Sequence, residues 1–218
     1  MRIPDMKEII SFKIINLPHR VDRREQCNAE IEYLNDIFSI EYFNAKYIEN
    51  SGARGCALSH AMALADFLFN CEKQYVLILE DDFKIKNPME FALEVKNIID
   101  NSECWDVFLL GHNKAIPIAQ SKSPAHFKVI NSQTTSGYLV TRKYAIELIK
   151  IFFRSAELLA SNESLPLSHK EITKHFYCCD ILWKELQLTG SFLTTFPALI
   201  SQRESYSDVE KIVVDYNC

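Results

Sequence analysis

Three consecutive carboxylates, Glu80-Asp81-Asp82, directly follow the apolar run Tyr75-Val76-Leu77-Ile78-Leu79. Side by side they repel one another and resist desolvation. A divalent cation removes both difficulties. In an extended segment alternate side chains share a face, so Glu80 and Asp82 point together as candidate metal ligands and Asp81 points away. An all-oxygen donor set suits Mn²⁺ or Mg²⁺ and leaves positions for water and phosphate. The ordinary alternative is a solvated loop start in which Asp81 or Asp82 bonds local backbone amides.

The sequence contains neither GxxxxGK[ST] nor GxGxxG, which excludes a P-loop and disfavours a dinucleotide dehydrogenase. A bound nucleotide diphosphate would therefore be met by a metal and by side chains rather than by a glycine cradle. Asn16-Leu17-Pro18-His19-Arg20-Val21-Asp22-Arg23-Arg24 offers such side chains beside a strand end, although a solvated basic helix start reads the same way. Gly55-Cys56-Ala57-Leu58-Ser59-His60 is expected to open a helix, with Ser59 and His60 in its first two turns, where an anion is favoured. A lone helical histidine is also a common structural residue.

The elements that must position these residues alternate. Ser11–Asn16 reads as a strand ended by Leu17-Pro18, and Asp22 as the cap of a helix with Cys27, Ile31, Leu34 and Phe38 on one face. Ile40–Phe43 is a second strand. Gly52-Ala53-Arg54-Gly55 is expected to break the chain before a helix bearing Ala57, Ala61, Leu64 and Leu68. Tyr75–Leu79 reads as a strand buried on both faces. Pro88 opens a helix with Phe91, Val95 and Ile98, and Trp105–Leu110 is a buried strand stopped by Gly111. The segment 113–127 is expected to be a loop, Val129-Ile130 and Tyr138–Val140 strands, and Ala145, Leu148, Ile149 and Phe152 a helix face. The segment 154–179 reads as polar and irregular, Ile181, Leu182 and Leu186 as a last helix, and Phe192–Phe196 as a strand ended by Pro197. This order predicts an α/β fold with a mostly parallel central sheet flanked by helices, with ligands at the carboxyl ends of its strands, after Ile15, Leu79 and Leu110.

The chain of 218 residues suits a single domain over 1–218 with its own core. A net charge of −5 argues against nucleic acid as a partner. No apolar run approaches the length of a transmembrane segment, and the first residues lack a signal-like apolar core, so a cytoplasmic protein with reduced thiols is expected. Of the seven cysteines, Cys27, Cys56, Cys71 and Cys104 read as small buried hydrophobes.

Taken together, the sequence resembles glycosyltransferase family 25, which includes bacterial lipooligosaccharide glycosyltransferases and collagen galactosyltransferases. The matching pieces are Ile15-Asn16-Leu17 with Arg20, Asp22 and Arg23; Gly55-Cys56 with Ser59-His60; and Leu77–Leu79 with the acidic triplet. Trp105-Asp106 with Leu110-Gly111, Gly137-Tyr138 with Arg142 and Ala145, and Pro197 with Gln202, Ser207 and Asp208 complete the series, in the family's order. The resemblance implies a GT-A fold, a nucleotide-sugar donor (usually a UDP-hexose), a Mn²⁺-type metal at Glu80 and Asp82, and inversion at the anomeric carbon. It implies a nucleotide-sugar and metal half over about 10–112 and an acceptor half over about 128–210. Donor contacts would come from Asn16, Leu17, Arg20, Arg24, Ser59, His60, Asp81 and Gln202. The acceptor would be a glycan or a glycosylatable protein. The compact chain looks more like a bacterial or viral single-domain member than the animal collagen enzymes.

An inverting transfer needs a group to take the acceptor proton. Asp180 is the expected base, between a polar segment and the apolar face of Ile181, Leu182 and Leu186, where its surroundings would raise its pKa. The alternative is that it caps that helix. His169 and His175 are further candidates. Two competing classes remain: a metal-dependent phosphohydrolase, although its DxDx[TV] pattern is absent, and a non-catalytic glycan-binding protein on a transferase fold, against which the intact acidic triplet argues.

Overall fold

The computed structural model describes residues 5–100, 104–113, 117–120, 125–207 and 212–214. Strand β1 (Ile10–Asn16) leads into helix α1 (Val21–Ile31), a short 3-10 turn, strand β2 (Ile40–Asn44) and helix α2 (Gly52–Asn70). Strands β3 (Tyr75–Glu80) and β4 (Phe83–Ile85) flank the acidic triplet; helix α3 (Pro88–Asp100) and strands β5 (Val107–Leu109), β6 (Pro117–Gln120), β7 (His126–Val129) and β8 (Gly137–Thr141) follow. Then come helices α4 (Arg142–Ser161), α5 (Leu167–Tyr177), α6 (Cys179–Leu182) and α7 (Lys184–Gln187), and strands β9 (Phe192–Thr195), β10 (Ile200–Gln202), β11 (Ser205–Ser207) and β12 (Ile212–Val214).

Eight strands form one sheet in the order β2-β1-β3-β8-β5-β9-β7-β6. Strands β2, β1, β3, β5, β9 and β6 run one way; β8 and β7 run against them. The fold is thus α/β with a mostly parallel central sheet, as the alternating elements predict. Side-chain alternation splits β3 between two cores. Val76 and Ile78 pack with α2, α4 and α6, whereas Leu77 and Leu79 pack with α1 and α3. Both faces of the sheet are covered, which is why β3 reads as an unbroken apolar run.

A charge sits in the middle of this sheet. Lys13, in the middle of β1, is 3% exposed and pairs with Glu41 on β2 and, at 2.6 Å, with Asp66 on α2. Burial alone would lower its pKa, but the hydrogen bonds to Asp66 and Glu41 outweigh it and raise the value.

Several expectations are corrected. Gly52-Ala53-Arg54-Gly55 does not break the chain but forms the first turn of α2. Gly55 is required there for packing: a Cβ on it would lie 2.5 Å from the Lys46 carbonyl oxygen. The segment 113–127 contains β6 and the start of β7, and 154–179 is mostly helical, in the end of α4 and in α5. Polar residues there misled the reading because they lie on exposed helix surface, which in α5 also carries Ile172 and Phe176. Asp22 is not the cap of α1; it lies in the first turn and accepts from the Arg20 guanidinium. Cys27 is buried, but Cys56 and Cys71 are half-buried and Cys104 is exposed. Asp208 lies outside the described residues.

Candidate functional site

A cleft of about 350 Å³ opens at the carboxyl ends of β1, β2 and β3. Because β8 runs against its neighbours, the residues that precede it, Gln133, Thr134 and Thr135, enter at the same end of the sheet and line the opposite wall. Cys178, Cys179 and Asp180 close the floor from the α5–α6 junction, and Gln202 reaches in from the end of β10.

The three carboxylates have different surroundings. Asp81 accepts from the Asn16 amide at 2.8 Å and from Arg23 at 2.5 Å, so both its oxygens are engaged inside the protein. Glu80 faces the other way. Its Oε1 accepts from Thr135 Oγ1 at 2.6 Å and lies 3.1 Å from His60 Nε2. Burial opposes charge on Glu80, but the His60 and Thr135 contacts and the Arg23 charge hold its carboxyl below the usual range. Among the described residues, Asp82 meets Gln202 Nε2 through a long bond of 3.3 Å and Arg23 at 3.5 Å. Burial, and then the charges of Glu80 and Asp81 against the pull of Arg23, push its carboxyl up to about 7.

All three carboxylates line the cleft; Glu80 and the poorly compensated Asp82 offer oxygen donors there, while both oxygens of Asp81 are taken by Asn16 and Arg23. That donor chemistry fits Mn²⁺ or Mg²⁺. The backbone fixes the arrangement: Glu80 N–H donates to the Ser136 carbonyl, Arg203 N–H to the Asp82 carbonyl at 2.7 Å, and β4 pairs with β10 just beyond.

No family model matches the chain, and no curated protein does so either. Among solved structures it is similar to a glycosyltransferase involved in the glycosylation of the major capsid of PBCV-1, at 14% identity and a TM-score of 0.50, covering 93% of this chain and 96% of that one. The fold is GT-A-like. Other similar structures are A197 from STIV, at 11% identity and a TM-score of 0.46 over 95% of this chain and 94% of that one. The apo-form glycosyltransferase GlyE of Streptococcus pneumoniae TIGR4 matches at 10% identity and a TM-score of 0.44, over 85% of this chain and 45% of that one.

Within this GT-A-like frame the residues singled out in the sequence divide. Leu17, Ser59, His60, Glu80, Asp81, Asp82, Asp180 and Gln202 line the cleft, and Asn16 contacts it through Asp81. Arg20 and Arg24 are not on its walls. Arg20 binds Asp22 and donates to the Tyr206 carbonyl at 3.2 Å, and the Arg24 guanidinium lies 4.2 Å above the Tyr42 ring. Since α2 begins at Gly52, Ser59 and His60 sit in its third turn, beyond the reach of a helix-terminus field. Ser59 instead donates to the Gly55 carbonyl at 2.7 Å and accepts from Lys46 N–H at 2.8 Å, clasping the β2–α2 connection to the helix. His60 is fully buried, with Nδ1 3.0 Å from Tyr138 Oη.

Asp180 is in the first turn of α6 and makes no cap; Cys178 holds the cap position without a side-chain bond. Burial, and then the Glu80 charge, raise its carboxyl pKa against a hydrogen bond from the Thr134 backbone. Thr134 has a φ of 70°, a strained conformation for a β-branched residue. His169 and His175 are exposed on α5 and do not line the cleft.

Arg23, on the cleft wall, is not among the residues expected to hold donor or metal. It holds Asp81 and Asp82 and also donates to the Tyr206 carbonyl at 2.9 Å. A signal for it exists: Arg23 lies four residues before Cys27, on the buried face of α1, where a charge must be paired. Thr135, Asn113 and the Ala45–Ile48 connection also line the cleft and carry no motif of their own.

Proposed function

We propose that this chain is a metal-dependent glycosyltransferase, akin to family 25, that transfers a hexose from a nucleotide sugar, of the UDP-sugar type, to a hydroxyl of a glycan or protein. The observation that carries the reading is the acidic triplet at the carboxyl end of β3, with Glu80 and Asp82 on a cleft that Asp180 also lines. The GT-A-like fold supports it, and the PBCV-1 structure shows a glycosyltransferase in a chain of comparable extent.

The reaction is written as a single displacement with inversion. Asp82 and Glu80 would hold Mn²⁺ or Mg²⁺, which when bound neutralises charge on the departing diphosphate. Asp81 orients the pair rather than binding the ion, because Asn16 and Arg23 occupy its oxygens. Leu17 and the Ala45–Ile48 connection would flank the nucleoside. Gln202, bonded to both Asp82 and Thr134, ties the C-terminal segment to the site. Asp180 would accept the acceptor proton, and burial beside Glu80 raises its basicity for that task.

The test is incubation with a panel of UDP-sugars and Mn²⁺. Slow release of UDP and free sugar, lost in excess EDTA and in Asp82→Asn, is expected. Full activity in EDTA removes the metal from the reading. Phosphate release from simple esters instead of UDP release identifies a phosphohydrolase, and donor binding without turnover identifies a binding protein.

A further inference from the structure

On the cleft floor, behind the carboxylates assigned to the donor metal, lies a cluster of different chemistry. The ligand atoms of Cys56, His60 and Glu80, one sulfur, one imidazole nitrogen and one carboxylate oxygen, all lie within 4.8 Å of one another. Cys179 Sγ is 3.9 Å from Cys56 Sγ. We propose that Cys56, His60 and Glu80, with Cys179 as fourth donor, form a site for a thiophilic divalent cation of the Zn²⁺ class.

Cys56 and His60 are four residues apart on α2, so the helix presents both on one face. Two of the donor separations approach the edges of a tetrahedron, and Cys179 Sγ, outside the group of three, would turn inward to complete it. Bonds of about 2.0 Å to nitrogen and oxygen give an edge of roughly 3.3 Å, and bonds of about 2.3 Å to sulfur give roughly 3.8 Å. The observed separations are 3.1 Å between His60 Nε2 and Glu80 Oε1 and 3.9 Å between the two sulfurs. A cation held by Nε2 and Oε1 would replace the direct contact between His60 and Glu80.

The supporting contacts are those a metal-ligating histidine uses. His60 Nδ1 meets Tyr138 Oη at 3.0 Å, and the ring stacks on Tyr138 and packs against Phe152, so Nε2 is aimed at Glu80. Thr135 Oγ1 donates to Glu80 at 2.6 Å and fixes the carboxylate. All four donors line the cleft, which supplies an entry path. Sulfur and nitrogen donors discriminate against Mg²⁺ and Mn²⁺, so this site differs in selectivity from the all-oxygen pair. Glu80 belongs to both sets. On the transferase reading, a thiophilic ion here withdraws Glu80 from the donor metal and inhibits turnover; the site itself does not depend on that reading.

The test needs no activity. Chelator-stripped protein, kept reduced with a phosphine, is titrated with Co²⁺. Tetrahedral visible bands and a near-ultraviolet thiolate-to-cobalt band should saturate at one ion per chain and bleach on adding Zn²⁺. Cys56→Ser should weaken Co²⁺ binding by about 100-fold or more. Cys179→Ser should lose about half of the thiolate band, and Cys104→Ser, at an exposed position, should match the wild type. A wild-type spectrum without the thiolate band, or a band that survives Cys56→Ser, overturns the proposal. A zinc K-edge absorption spectrum of the wild-type Zn²⁺ form is independent of any variant's folding. Sulfur at about 2.3 Å supports the site, and a shell of nitrogen and oxygen alone overturns it.

Discussion

Two charged residues border the acidic triplet. Arg23 is nearly buried and faces Asp81 and Asp82, both themselves buried. Removing one partner of a buried pair leaves the other charge uncompensated, so Arg23→Ala should destabilise the protein by about 3–5 kcal/mol. Urea unfolding measures this, and Arg23→Met combined with Asp81→Asn should recover part of the loss. A loss below about 1 kcal/mol would class the pair with surface ion pairs and sink the argument. Asp180 is the second residue. Asp180→Asn keeps the shape and the hydrogen bond from Thr134 but cannot accept a proton. It should leave donor affinity unchanged and lower transfer about 100-fold or more, as single-turnover rates would show. Near-normal transfer would move the base elsewhere.

At the scale of the element, the start of α2 and the connection from β2 act as one unit. The helix approaches so closely that Gly55 meets the Lys46 carbonyl, and Ser59 clasps the same connection. Gly55→Ala must push backbone against backbone. It is expected to cost about 1–3 kcal/mol, seen as a lower urea midpoint, and to weaken donor binding because Lys46, Tyr47 and Ile48 line the cleft. An unchanged midpoint would show that the connection yields freely. The β4–β10 ladder is the second such unit. It places Gln202 over Asp82, and Gln202→Ala should weaken Mn²⁺ affinity with little loss of stability. Isothermal titration with Mn²⁺ distinguishes this from a silent substitution.

The whole molecule adds a pH dependence. The raised pKa of Lys13 means that its contribution to stability is complete below the ordinary lysine value of 10.5 and is lost as pH rises through the folded value. The hydrogen bond from Lys13 lowers the pKa of Asp66, so that contribution is present above 3.8 and is lost as pH falls through its folded value. The difference in urea midpoint between the wild type and Lys13→Met should therefore be constant at neutral pH and shrink above about pH 10.5 and in acid. A difference independent of pH would show that Lys13 acts through packing alone. No helix among the described residues is long and apolar enough to cross a membrane.

Most longer strands and helices, the doubly buried β3 and the placement of chemistry at strand ends were legible in the sequence, because apolar periodicity and runs follow directly from which faces are covered; the short β4, β6 and β10 to β12 and helix α5 were not. The acidic triplet was legible for the same reason: three charges beside a buried strand need a partner. The reading failed where local composition pointed one way and packing another. Gly52 and Gly55 look like a break, yet both lie in the first turn of α2, and Gly55 allows its close approach to Lys46. The polar segment 154–179 hides two helix faces. Only the tertiary structure decided the roles within the triplet, since partners of Asp81 come from Asn16 and Arg23 and those of Glu80 from His60 and Thr135, far apart in the chain. It alone left Arg20 and Arg24 off the cleft walls and brought Cys56 beside Cys179, 123 residues later. Local sequence specifies which face of an element is apolar; which charged groups meet across the sheet is set by the register and packing of distant segments.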